Sequence, residues 1–142
     1  MVRNQVDWYL PNHIIYMKND GILDYPRLHG MIERIMELFS QSTAPVVYTL
    51  IDSEEVSGMP YKPTETKQFA TYPVSPKVGM TIYIGKYNRI RRLAIIMFYK
   101  LVNCPVQFAD SLEHALSILI QLDPQLRNLL SSLSNPSDNL LN

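Results

Sequence analysis

The chain has 142 residues, 46% of them hydrophobic and 18% charged, and its thirteen basic and thirteen acidic side chains cancel. That length and balance predict one globular domain with a real core and exclude a disordered chain. They also argue against non-specific nucleic-acid binding, which needs a surplus of Lys and Arg, while low net charge removes one barrier to self-association.

A lone cysteine, Cys104, excludes an intrachain disulfide and a Cys-rich zinc site. The stretch from Met1 to Trp8 has one basic residue and no apolar segment, unlike a signal peptide. The longest unbroken apolar run, Leu93 to Tyr99, has seven residues. A bilayer crossing takes about 20. The expectation is a soluble cytoplasmic protein.

Taken in chain order, Asp7 to Leu10 and His13 to Met17 suit two short strands with Pro11-Asn12 as the turn between them. Lys18 to Gly21 reads as a second turn or a bulge, and Ile22-Leu23 as a brief continuation. Asp24 is a helix N-cap, with Pro26 in the first turn. Leu28, Met31, Ile32, Ile35, Leu38 and Phe39 then recur at helical spacing on one face. Gly30 within that helix suggests a close approach to the sheet. Val46 to Ile51 is an unbroken β-branched and aromatic run, the pattern of a strand buried on both faces. It is expected to end at Asp52 in a loop that continues to Pro60. A short helix is expected over Lys62 to Phe69, and the two prolines between Tyr72 and Gly79 predict irregular chain.

Met80 to Ile84 is a further strand, stopped by Gly85. Asn88 to Val102 is a second long helix, with Ile90, Leu93, Met97, Leu101 and Ala94 toward the core and Arg89, Arg92 and Lys100 in solvent. Val106 to Phe108 is a last short strand. Asp110 to Glu113 has the spacing of a capping box, and Leu112, Ala115, Leu116, Leu119 and Ile120 form the buried stripe of the helix it opens. The order is β-β-α-β-(α)-β-α-β-α, an α/β fold with a mostly parallel central sheet and an N-terminal hairpin. The domain is expected to occupy residues 1–124, followed over 125–142 by a short helical turn and a flexible tail.

This order, the phrase Asp20-Gly21-Ile22-Leu23-Asp24 leading into the first helix, and the strand ending at Asp52 resemble a STAS-type domain. That is the fold of bacterial anti-sigma-factor antagonists and of the cytoplasmic parts of sulphate transporters. The stretches Pro76 to Ile82 and Phe108 to Leu116 are similar to a bacterial STAS-like branch without an assigned activity. The resemblance runs from about Trp8 to Asp123. It implies a non-enzymatic module whose antagonist members are switched by phosphorylation of a Ser in an Asp-Ser-x-Gly-like turn after the third strand. Here Asp52-Ser53 stands at the expected strand end and Ser57-Gly58 a little later, with no Asp directly before Ser57.

Ser53 and Ser57 are therefore the candidate phospho-switch, against the plain alternative of a solvated connection. Phosphate at either would add nearly two negative charges beside Asp52, Glu54 and Glu55. Lys86, Asn88, Arg89 and Arg92, where a strand gives way to a helix N-terminus, are the candidate anion or partner contact. They lack the spacing of a P-loop. Ile95, Ile96, Phe98 and Tyr99 exceed what one core stripe needs and are the candidate interface. His13, His29 and His114 show no metal-site spacing, Cys104 has no His nearby, and neither a metal nor a cofactor is expected. Together these features describe an interaction or regulatory module that docks a protein partner or a second copy. Nucleic acid and stable membrane insertion are not expected. The alternative is a small-molecule or lipid-binding domain using the strand-end crevice or the second helix.

Overall fold

The computed structural model describes residues 4–58 and 75–134. The helix expected at Lys62 to Phe69 lies outside the described residues. Strands β1 (Asn4–Leu10), β2 (Ile14–Ile22), β3 (Val47–Gly58), β4 (Val78–Ile84) and β5 (Val106–Ala109) form one sheet in that order. β1 pairs antiparallel with β2, and every later neighbour is parallel. The hairpin turns where expected: Asn12 takes a left-handed φ of 71° and the His13 N–H donates to the Leu10 carbonyl at 3.0 Å.

Helix α1 (Tyr25–Gln41) starts at Asp24, whose carboxylate accepts from the Arg27 N–H at 2.9 Å. The last turn of α1 carries no basic residue of its own. Lys77, just ahead of β4, supplies the missing cation by donating to the Ser42 carbonyl at 2.6 Å and the Phe39 carbonyl at 3.4 Å. α2 spans Arg89–Leu101, α3 Leu112–Leu122 and α4 Leu126–Ser134. α3 is capped by Ser111, one residue later than the capping-box spacing suggested. Its hydroxyl accepts from the His114 N–H, and the His114 ring accepts from the Asp110 N–H, so His114 takes the place expected for Glu113.

Helices cover both faces. On one, Ile14, Leu50, Ile82, Ile84 and Ala109 pack against Ala115 and Leu119 of α3 and Leu126 and Leu130 of α4. On the other, Ile15 and Val47 meet Leu38 and Phe39 of α1, while Met17 and Ile51 meet Leu23 and Met31. β3 contributes to both, as its unbroken apolar run requires. α2 shares the α1 face, because Tyr99 stacks on Tyr83, which belongs to that side.

Four expectations are corrected. β3 does not end at Asp52 but continues to Gly58, because β2 also runs on through Lys18 to Gly21 and offers it a ladder. The extension is bulged, with register shifts between Lys18 and Asp20 and between Gly21 and Ile22, and Gly21 takes a φ of 64°. Pairing with β2 overrides the weak strand preference of Asp, Ser and Glu. Gly30 is no point of close approach, since a Cβ there would meet nothing within 4 Å. The close approach is at Gly79, where a Cβ would lie 2.7 Å from Val46 Cγ1 and 3.0 Å from the Tyr48 ring; β4 accordingly begins at Val78, inside the stretch expected to be irregular. Finally, α4 is a nine-residue helix rather than a single turn, and Leu126 is fully buried.

Leu126 thus carries core weight in a segment expected to be peripheral. Leu126→Ala should lower unfolding stability by about 2–5 kcal/mol, the cost of a buried Leu cavity, in urea denaturation. A loss below about 1 kcal/mol would show that α4 is dispensable to the core.

Candidate functional site

In a parallel sheet the carboxyl ends of the strands open toward the crevice where ligands and partners gather. Here that end is built by β2, β3, the turn after β4 and the start of α2. Asn19 on β2 and Ser53 on β3 are both buried, and the Asn19 amide donates to the Ser53 hydroxyl at 3.0 Å. Asn19 Oδ1 is buried with no hydrogen-bond partner among the described residues.

Gly85 makes the turn after β4 with a φ of 120°, and a Cβ there would stand 2.9 Å from the Glu54 carboxylate. That turn delivers Tyr87. Its hydroxyl donates to the Ile84 carbonyl at 2.8 Å and accepts from the Ser53 N–H at 3.0 Å. Arg91, from the first turn of α2, donates to the Ser53 carbonyl at 3.0 Å and lies 5.0 Å from the Tyr87 ring centroid. Side chain, N–H and carbonyl of Ser53 are therefore each held by a different residue. Chemically this is a clamp. The partner of the Ser53 hydroxyl is an amide, which cannot act as a general base.

The sequence expectations divide here. Ser53 lies in a strand and is shut away from solvent, while Ser57 is exposed near the end of the same strand, about 13 Å further along at 3.3 Å per residue. Neither lies in the loop in which they were expected. Asn88 is used as the N-cap of α2, accepting from the Arg91 N–H at 2.8 Å. Arg92 turns over the Phe108 ring at 4.7 Å. Lys86 and Arg89 stay exposed. Arg91, the residue that closes the clamp, is not among the cations expected at the site. The signal that could have found it is its spacing of three from the cap Asn88, which fixes its direction.

The larger correction concerns the two sides of α2. Ile90, Leu93, Met97 and Leu101, expected in the core, are 81%, 58%, 61% and 56% exposed. Ala94 is exposed with them, whereas Ile95, Ile96, Phe98 and Tyr99, expected as an outward interface, are half-buried. The reason is the layer the helix sits on. Tyr83, Tyr87 and Phe108 present rings, with centroids 5.9 Å apart for Tyr83 and Tyr87 and 6.0 Å for Tyr83 and Phe108. Tyr99 joins them edge-on at 5.7 Å from Tyr83, and the two hydroxyls are 3.2 Å apart. Ring-on-ring packing selects the aromatic side of the helix over its aliphatic side. No residue of α2 is fully buried.

Burial pushes the Tyr83 hydroxyl up to about 12 from an ordinary 10.0. Burial raises Tyr99 well above 10.0 too, with Tyr83 adding to it. On the opposite face of the sheet, burial and then Asp52 raise the Tyr16 hydroxyl. Burial raises the Cys104 thiol, away from the reactive thiolate. Among the described residues no group of three or more His, Cys, Asp or Glu could hold a metal ion, and no helix is long and apolar enough to cross a membrane. Two surface depressions lie away from the clamp. One of about 360 Å³ is lined by Val6, Arg27, Gly30, Met31 and Arg34, and one of about 350 Å³ by Tyr99, Lys100, Asn103, Cys104 and Pro105.

Among solved structures the chain is similar to an uncharacterised protein of the DUF3478 family from Shewanella loihica PV-4, described as having a SpoIIAA-like fold. The TM-score is 0.60, over 82% of this chain and 91% of that one, at 14% sequence identity. The fold is SpoIIAA-like. That is the STAS-type arrangement the element order resembles, and at this identity the likeness speaks for the fold alone. No family model and no curated protein matches the sequence.

Two outcomes follow from this geometry. Ser53→Asp places a charge in a buried clamp and should destabilise by about 3 kcal/mol or more, whereas Ser57→Asp should stay within about 0.5 kcal/mol. Equal effects in thermal melts would contradict the burial of Ser53. The tyrosine layer sets an alkaline limit. With its folded pKa above the unfolded value, Tyr83 contributes fully below pH 10.0, and that contribution is lost as pH climbs through about 12. Tyrosinate absorbance followed beside circular dichroism should show Tyr83 and Tyr99 ionising only as the fold is lost. Ionisation of every tyrosine near pH 10 with the fold intact would mean that water reaches the layer.

Proposed function

We propose that this chain is a non-enzymatic interaction or regulatory module that acts by docking another surface through α2. The observation that carries the reading is the row Ile90, Leu93, Met97 and Leu101, large aliphatic side chains exposed together on one side of a helix whose other side meets the sheet. Single exposed apolar residues are ordinary, but a contiguous row on one element marks a contact surface. The strand-end clamp supports the same reading. Its Arg91 and Tyr87 bonds fasten the start of α2 and the turn before it to β3, and the Ser53 hydroxyl faces an amide instead of a base.

The test is photo-crosslinking in the native cell, with a photoreactive residue at Met97 and, as control, at Glu33 on the exposed side of α1. Adducts concentrated at position 97 are the expected result. Equal or no crosslinking at the two positions would remove α2 as a docking face.

A further inference from the structure

The exposed row on α2 comes with a charge pattern that narrows its partner. Ile90, Leu93, Met97 and Leu101 follow spacings of three, four and four, so they form one continuous aliphatic ridge. Arg89 stands four residues before Leu93, and Lys100 three after Met97, which puts both cations along one margin of that ridge. The helix contains no acidic residue, and neither does the whole chain between Thr66 and Ala109. The overall neutrality of the protein therefore hides a helix of one sign. Arg89 and Lys100 are exposed, and neither is in an ion pair among the described residues.

We propose that α2 docks onto an anionic lipid surface, lying in the headgroup plane with the ridge toward the acyl chains and Arg89 and Lys100 at the phosphates. This rests on the docking reading above and names the partner of the same face. Thirteen residues make a helix about 20 Å long, too short to span a bilayer and suited to lying flat in its interface. A second copy fits poorly, because apposing two such ridges brings cationic margins together with no acid on either helix to answer them. A folded protein partner is the weaker match. Protein contact surfaces draw on Tyr and Trp anchors, whereas the aromatics of α2, Phe98 and Tyr99, are half-buried and the exposed ridge is made of Ile, Leu and Met alone. Long cationic stems beside aliphatic side chains suit a lipid interface, where they reach headgroups while the ridge sinks.

The test is flotation of the full chain with vesicles of phosphatidylcholine alone and of phosphatidylcholine mixed with phosphatidylglycerol, alongside sedimentation equilibrium of the protein without lipid. Binding should require the anionic lipid and weaken as salt is raised. The pair Leu93→Glu and Met97→Glu should lower it at least about tenfold. Arg89→Gln and Lys100→Gln should each lower it about fivefold with unchanged thermal melting, which keeps the test open should the Glu pair fail to fold. Binding indifferent to all four substitutions would overturn the proposal. Absence of vesicle binding together with a dimer that Met97→Glu dissociates would overturn it while leaving α2 as a docking face. Absence of both, with no crosslinks at position 97 in cells, would overturn the docking reading as well.

Discussion

The parallel pairing of β2 with β3 governs what the rest of the molecule can do. It begins at Ile14 and Tyr48 and persists through two bulges to Ile22 and Gly58, where the Leu23 N–H still donates to the Gly58 carbonyl at 2.9 Å. Because a strand alternates its faces, this length of β3 presents Leu50 to one layer of helices and Ile51 to the other. It also carries Ser53 beyond the apolar run and alongside Asn19. The clamp on Ser53 exists only because the bulged end of β2 keeps Asn19 beside β3 while the turn at Gly85 brings Tyr87 and Arg91 to the other side.

The helices are bound to the sheet by different physics, and the difference accounts for the surface. α3 and α4 are held by buried aliphatic side chains, including Ala115, Leu119 and Leu126, each with no exposure at all. Tyr48 adds a hydroxyl bond to Asp123 at the end of α3. α2 has no such anchor. It rests on rings, on the cap at Asn88 and on Arg91, and bulky rings hold a helix through side chains while its backbone stands off from the sheet. An outward row of Ile, Leu and Met would be a liability on a helix with no second use.

Much of this order is legible in the sequence because it is local. The cap at Asp24, the hairpin turn at Asn12 and the two-face burial of Val47 to Ile51 each follow from a few adjacent residues. What escaped was set by distant partners. Nothing near Asp52 announces that β3 continues, since the reason lies on β2. Nothing in α2 alone decides which of its two apolar sides faces inward, because Ile90-Leu93-Met97-Leu101 and Ile95-Phe98-Tyr99 both satisfy helical spacing. The choice is made by Tyr83 and Phe108 on neighbouring strands. The site inherits the same limit: Ser53 follows from its position after the apolar run and the direction of Arg91 from its spacing to Asn88, while their meeting with Asn19 becomes visible only once strands and helix are assembled.

Those two facts meet in α2. Its first turn sets Arg91 on the Ser53 carbonyl, the turn before it sets Tyr87 on the Ser53 N–H, and its outer side is the exposed ridge. A helix without a fully buried residue depends on the rings beneath it and on the hydrogen bonds at its first turn. The buried Ser53 thereby sits one hydrogen bond from the helix that carries the exposed ridge.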